Sequence, residues 1–286
     1  MDDTASARTV LTRLRAQLDL VDDQILDLLV RRASIVDSVG RDGGKTGAKI
    51  RPGREAAILR RLIAKPRGVL PAQAVTRFWR EIFAASLIIE GGHMVAVCEG
   101  EGAADRLALA REHFGPLTPM RRHTNPAQTL AEVAREAAQL AVLPPPDEAE
   151  DGPGGWWQLL TASGVHRLYV IAKLPFWGRR AEGSPLGVAY VVAGVPPDAS
   201  GQDHGLISLE LPADVSRTRL TALAKDAGFT PLTVWVRRGP GEGTVRALIE
   251  VAGFVEDGDP RLAAIVGVEA APIVIGGFAV PVGDEA

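Results

Sequence analysis

This 286-residue sequence predicts a multidomain chain: an all-α, three-helix N-terminal domain that intertwines as a dimer, then an α/β region, then a small C-terminal α+β domain. Three observations predict it. Apolar residues recur at intervals of three and four through residues 8–40, with no Pro or Gly before Gly40. From residue 93 the pattern changes to short apolar runs divided by turn residues. Beyond residue 200 the runs read strand, helix, strand, strand, helix, strand. The boundaries that follow are 1–91, 92–200 and 201–286.

Leu11, Leu14, Leu18, Val21, Ile25, Leu28, Leu29, Ile35 and Val39 draw one apolar stripe along a helix over 8–40. A glycine-rich basic loop, 41–49, follows. Pro52 and Gly53 precede a short helix over 54–64, and Lys65-Pro66-Arg67-Gly68 ends it. Pro71 sits in the first turn of a third helix reaching Glu90, where Gly91-Gly92 stop it. One short and one medium helix are too little to cover the long stripe, so the predicted solution is a bundle shared between two chains.

Met94–Cys98, 140–144, 166–171 and 187–192 read as strands, with a helical run near 101–113 and a Pro/Gly/acid-rich loop over 144–155. In the last segment 206–211, 232–237 and 245–249 read as strands. Ser216 caps a helix running to Ala227, Asp257-Gly258-Asp259-Pro260 turns into another helical start, and a last strand lies near Ile273.

Apolar residues make up 46% of the chain, enough for a sizeable core. The net charge of −3 divides into +5 over residues 1–90 and −8 over the remainder. A modest basic excess without a clustered stripe suits a small anion and argues against nucleic acid. Cys98 stands alone, which excludes an internal disulfide; with no signal peptide it predicts a cytoplasmic protein. The richest apolar window, 270–280, is too short to span a membrane and contains Pro272. His93, His113, His123, His166 and His204 lack metal-ligand spacing, so neither metal nor cofactor is expected. Trp156-Trp157 is read as a core anchor before a ligand platform.

The candidate functional residues are polar groups in the helices. Arg15 and Arg32 lie on broadly one side of the first helix but about 26 Å apart at ~1.5 Å per residue. Arg15 therefore reaches a site held by Arg32 only from a partner chain. Arg54 and Glu55 open the short helix, and Ser86 and Glu90 are i,i+4 on the third. Taken singly, each also reads as an ordinary solvated or small packing residue.

Taken together they carry a resemblance. Leu14-Arg15, Val21-Asp22, Leu28-Leu29-Val30-Arg31-Arg32, Val39-Gly40, Arg51-Pro52-Gly53-Arg54-Glu55, Thr76-Arg77-Phe78 and Ser86-Leu87-Ile88-Ile89-Glu90 resemble, in order, the all-helical (AroQ-class) chorismate mutase domain. The resemblance implies chorismate, a dicarboxylate, as substrate. Its carboxylates would be held by Arg32, Arg54 and the partner's Arg15, whose planar donor forks suit them. It implies that Glu55 contacts a substrate hydroxyl, that Ser86 lies near one carboxylate, and that Glu90 hydrogen-bonds the ether oxygen. A carboxyl group donates only when protonated, so activity is expected to fall as Glu90 ionises. The family lysine three residues after Gly40 is Gly43 here. Lys45 is the replacement expected to enter the site, with Lys49 as the other candidate.

Residues 93–280 resemble the remainder of a bifunctional chorismate mutase–prephenate dehydratase, a periplasmic-binding-like α/β region followed by an ACT-like domain. The family's Thr-Arg-Phe signature is replaced over 186–192 by Leu-Gly-Val-Ala-Tyr-Val-Val, and its Glu-Ser-Arg-Pro by Thr233-Val234-Trp235-Val236-Arg237. The expected function is chorismate mutase with the dehydratase activity lost. The alternatives are retention of both activities, or a non-catalytic sensor or scaffold. The expected partners are chorismate and prephenate, a second copy through the N-terminal helices and, for the appended region, a neighbouring enzyme of aromatic synthesis; nucleic acid and membranes are not.

Overall fold

A computed structural model describes residues 2–42, 50–100, 105–149, 153–161, 166–178, 182–184, 187–238 and 243–283. Three helices open the chain: α1 (Asp2–Asp42), α2 (Pro52–Ile63) and α3 (Ala72–Ile89). α1 is one uninterrupted rod about 60 Å long at ~1.5 Å rise per residue. Its C-terminal part packs against α3, and residues 7–31 are exposed, including Leu14, Leu18, Ile25 and Leu28. α2 takes Pro52 into its first turn, two residues earlier than the predicted start, and α3 starts behind Pro71 at its N-cap.

The remainder builds on one nine-stranded sheet. Its strands are β1 (Val95–Cys98), β2 (Met120–His123), β3 (Leu140–Leu143), β4 (Tyr169–Leu174), β5 (Ala189–Ala193), β6 (Asp203–Pro212), β7 (Pro231–Arg238), β8 (Thr244–Ala252) and β9 (Ile273–Ala279). The spatial order is β2-β1-β3-β5-β4-β9-β6-β8-β7. β1 pairs parallel with β2 and β3 through the crossover helices α4 (Arg106–Phe114) and α5 (Pro126–Ala134). β6, α6 (Arg217–Asp226), β7, β8, a 3-10 turn (Pro260–Ala264) and β9 form an antiparallel sheet in the split β-α-β-β-α-β arrangement.

Parallel pairing joins the two halves, with Val170 opposite Gly276 and an isolated bridge between Trp177 and Val282 beyond it. Gly276 has φ of 125°, and a Cβ there would overlap the backbone of Val170. Glycine is needed at this position for both conformation and space.

Further predicted details differ, among them the strand read over 166–171, which runs Tyr169–Leu174. The helical run near 101–113 is described from Arg106, where Asp105 caps it by accepting from the Ala108 amide. The loop over 144–155 gives way at Pro153 to a 3-10 helix, Pro153–Thr161, which carries the buried Trp156 and Trp157. β2 and α5 are additions. β2 is an edge strand of sequence Met-Arg-Arg-His, so its solvent-facing arginines hide any apolar alternation. α5 is short, and its start is marked by Asn125, which accepts from the Gln128 amide, and by Pro126.

A fourth core, separate from those on the sheet faces, positions the site. Ala56, Leu59 and Phe83 of α2 and α3 pack with Phe176 and Ala279 of the α/β region. The helical segment is thus seated on the sheet by hydrophobic contact, and polar ties flank that contact.

Candidate functional site

On α3, Thr76, Arg80 and Phe83 lie on one face and are all buried. Arg80 is a cation on an otherwise inward face, and burial of its charge requires a partner. That partner is Glu55 on α2. Arg80 Nη1 lies 2.7 Å from Glu55 Oε2, and the side chains are 8% and 15% exposed. Arg80 also donates to His113 Nε2 at 3.2 Å, and its guanidinium lies 5.0 Å from the centroid of the Phe176 ring. Accepting from an arginine fixes His113 as a neutral imidazole. Burial, followed by the nearby Arg80 charge, holds its pKa well below the ordinary value.

Arg32 approaches a second ring, Phe83, from α1. Its guanidinium lies 5.8 Å from the Phe83 centroid and that of Arg80 lies 5.7 Å from it, so two cations flank one ring. Arg32 Nη1 donates to Ser86 Oγ at 2.5 Å, and Ser86 Oγ donates to the Ile82 carbonyl at 2.7 Å. Burial lowers the Arg32 pKa while Glu55 raises it. Burial pushes Glu55 above the usual carboxylate range, and Arg80 opposes that shift. Burial lowers Arg80, and Glu55 opposes that. Ser86 occupies one of the five guanidinium donors of Arg32, leaving planar donor capacity for an incoming carboxylate.

Of the predicted residues, Arg32 and Ser86 meet beside Phe83, and Glu55 is linked to that ring through Arg80. Glu90 is half-buried at the C-cap of α3, four residues beyond Ser86. Arg54 is exposed and adjoins Glu55 in the first turn of α2. Arg15 is exposed on the free part of α1, some 26 Å from Arg32 along the helix at ~1.5 Å per residue. Lys45 and Lys49 lie outside the described residues. Arg80 and His113 are additions to the predicted set. A charged residue on the buried stripe of α3 was the available signal for Arg80. His113 had none, because its proximity is created by the docking of α4 on α3.

The α/β region holds a second polar cluster. Lys173 of β4, Tyr190 of β5 and His204 of β6 surround the Phe278 ring, at 5.3, 5.6 and 5.5 Å from its centroid. His204 Nδ1 is 2.6 Å from Glu250 Oε1 on β8. Burial, and then the charge of Glu250, raises the Tyr190 pKa well above its ordinary value. Among the described residues no group of three or more His, Cys, Asp or Glu could hold a metal, and no helix is long and apolar enough to cross a membrane.

Residues 14–91 match the family model described as chorismate mutase type II. The bifunctional chorismate mutase/prephenate dehydratase of Neisseria gonorrhoeae is 32% identical over 155 residues, covering 53% of this chain and 41% of that protein. The one of Pseudomonas aeruginosa is 32% identical over 138 residues, covering 46% and 36%. The chain thus spans about two fifths of the length of these relatives. Among solved structures, a prephenate dehydratase from Arthrobacter aurescens in complex with L-Phe is similar at a TM-score of 0.44 and 15% identity, over 65% of this chain and 89% of that one.

Proposed function

We propose that this chain, whose residues 14–91 form a chorismate mutase type II domain fused to a prephenate-dehydratase/ACT-like region, rearranges chorismate to prephenate at the Arg32–Ser86–Glu55 cluster. One observation carries the reading: within that family match, Arg32 of α1 meets Ser86 of α3 beside the Phe83 ring, next to the Arg80–Glu55 pair that ties α3 to α2, and Arg32 keeps donors available for an anion. The rearrangement breaks a C–O bond as a C–C bond forms within one molecule. It needs no nucleophile. The protein must hold a compact substrate conformer and stabilise charge growing on the ether oxygen. Arg32 grips one carboxylate, Ser86 orients Arg32, Glu55 meets a hydroxyl, and Glu90, at the end of α3, faces the ether oxygen as a protonated donor. Arg54 and Lys45 complete the binding of the anion.

The working unit in this reading is a dimer. The apolar residues of α1 are exposed along more than half its length, and a second copy of the helix covers them while bringing its own Arg15 to the site. The 1–91, 92–200 and 201–286 division belongs to the same proposal.

Mixed dimers test it. Arg15→Ala and Arg32→Ala each remove chorismate turnover. Mixed after unfolding and refolding, they regain about one quarter of wild-type activity, because half the dimers are mixed and each of those has one intact site. No recovery on mixing, with both parents folded, sinks the shared site.

A second reading concerns the appended region. The relatives are named as bifunctional, and their match extends beyond the helical domain. This favours retention of a dehydratase over the loss expected from the missing Thr-Arg-Phe. Lys173 and the His204–Glu250 pair would then bind a carboxylate and supply a proton. Phenylpyruvate formed from chorismate faster than prephenate decays alone supports it, and prephenate as sole product restores the loss.

A further inference from the structure

The α/β region holds the mutase helix α2 by its first turn. Asp198, in the loop between β5 and β6, accepts from the Gly53 amide through Oδ1 at 3.0 Å and from the Arg54 amide through Oδ2 at 3.1 Å. Arg51 Nε reaches the same Oδ2 at 3.2 Å. No side chain of the N-cap residue, Arg51, does this work. The first-turn amides that a local Ser, Thr or Asp satisfies in most helices are here satisfied by a carboxylate more than 140 residues away.

The loop is itself pinned from α2. Arg60 donates to Ser200 Oγ at 2.8 Å, to the Gln202 carbonyl at 3.1 Å and to the Val280 carbonyl at 2.6 Å. Contact is so close at Gly53 that a Cβ there would overlap the Asp198 carbonyl oxygen. A second tie reaches the next residue. Glu55 is held by Arg80, and Arg80 is held in turn by His113 of α4 and stacked on Phe176, both from the α/β region.

We infer that the appended region is a structural part of the mutase site, with Asp198 as the positioning residue that sets where Arg54 and Glu55 stand. This inference rests on the mutase reading. Asp198 acts through the backbone that carries those two side chains. A loosened first turn lets Arg54 swing and weakens the grip on a substrate carboxylate, in the ground state and the transition state alike. Such a loss raises KM and leaves kcat nearly unchanged. Loss of folded protein does the reverse, lowering apparent kcat at constant KM.

The test is steady-state chorismate turnover by the full chain. Asp198→Ala, Asp198→Asn and Gly53→Ala are compared with wild type and with Asp257→Asn, which breaks only the surface pair with Arg167. Asp198→Ala is expected to raise KM about ten-fold, the change that corresponds to a helix cap of ~1.4 kcal/mol. Asp198→Asn keeps one acceptor oxygen and falls between. Gly53→Ala, which pushes the loop away from the other side, reproduces the rise, and Asp257→Asn matches wild type. An active wild type with KM unmoved in both Asp198 variants overturns the inference. So does a fall in kcat at constant KM, which marks lost folded protein. If Asp198→Ala fails to fold, Asp198→Asn and Gly53→Ala decide by the same split. A wild type that leaves chorismate unchanged overturns the mutase reading and this inference together, which separates that failure from the others.

Discussion

Removing Arg80 while keeping Glu55 leaves a carboxylate in the seam between α2, α3 and the α/β region with no countercharge. The pair has an N–O distance of 2.7 Å and side chains 8% and 15% exposed, which places it among buried ion pairs. Breaking such a pair on one side costs about 3–5 kcal/mol, whereas an exposed pair is worth at most about 1 kcal/mol. Arg80→Leu also forfeits the donor to His113 and the stacking on Phe83 and Phe176. We therefore expect it to lower unfolding free energy by about 3 kcal/mol at pH 7, with Arg122→Leu, at the exposed Glu99 pair, below about 1 kcal/mol. Adding Glu55→Gln to Arg80→Leu removes the stranded charge and recovers at least half of the loss.

The pH dependence has a definite sign. Burial already raises Glu55 above its ordinary 4.5, and Arg80 is the main influence pulling it back. In Arg80→Leu burial acts almost unopposed, so the folded-state pKa rises further. A raised folded pKa gives stability that is complete below the unfolded value and lost as pH climbs through the folded one. The Arg80→Leu deficit thus shrinks on acidifying toward pH 4.5 and widens above it. Urea unfolding of the four proteins of the double-mutant cycle, at several pH values, measures this. A coupling below about 0.5 kcal/mol, or a deficit independent of pH, refutes the buried-pair argument.

Other outcomes follow from the same geometry. His113 has its pKa depressed by burial and by Arg80, so its contribution is present above the ordinary 6.5 and lost as pH falls below it. Melting of wild type should show an acid loss of up to about 1.4 kcal/mol per pH unit that is reduced in His113→Gln. Gly276→Ala forces a Cβ into the Val170 backbone where the two halves of the sheet join, and should cost at least about 2 kcal/mol by denaturant unfolding. Leu18→Glu with Ile25→Glu alters side chains exposed on a single subunit. Light scattering should find the wild type dimeric and the double variant monomeric, with little change in the helical content of the α/β region.

Much of the fold was legible because it rests on local pattern. An uninterrupted i, i+3, i+4 stripe identifies α1 whatever surrounds it, and Ser216 marks the start of α6 by itself. Strands buried on both faces, such as β3 and β5, show as plain apolar runs. β2 did not, because an edge strand has half its groups in water and no need of alternation.

The functional residues divide along the same line. Arg32, Glu55 and Ser86 are legible as polar groups on helices, and their gathering beside Phe83, Glu55 by way of Arg80, follows from helix packing. Arg80 betrayed itself only as a charge on an inward face. What tertiary structure alone decided is the joining of halves distant in the chain. Asp198 meets Gly53 and Arg54, His113 meets Arg80, and Gly276 meets Val170. The physical reason is that local periodicity records which side of an element avoids water. Which polar group satisfies a helix's first amides or a buried arginine is a matter of three-dimensional proximity, and no spacing along the chain encodes that.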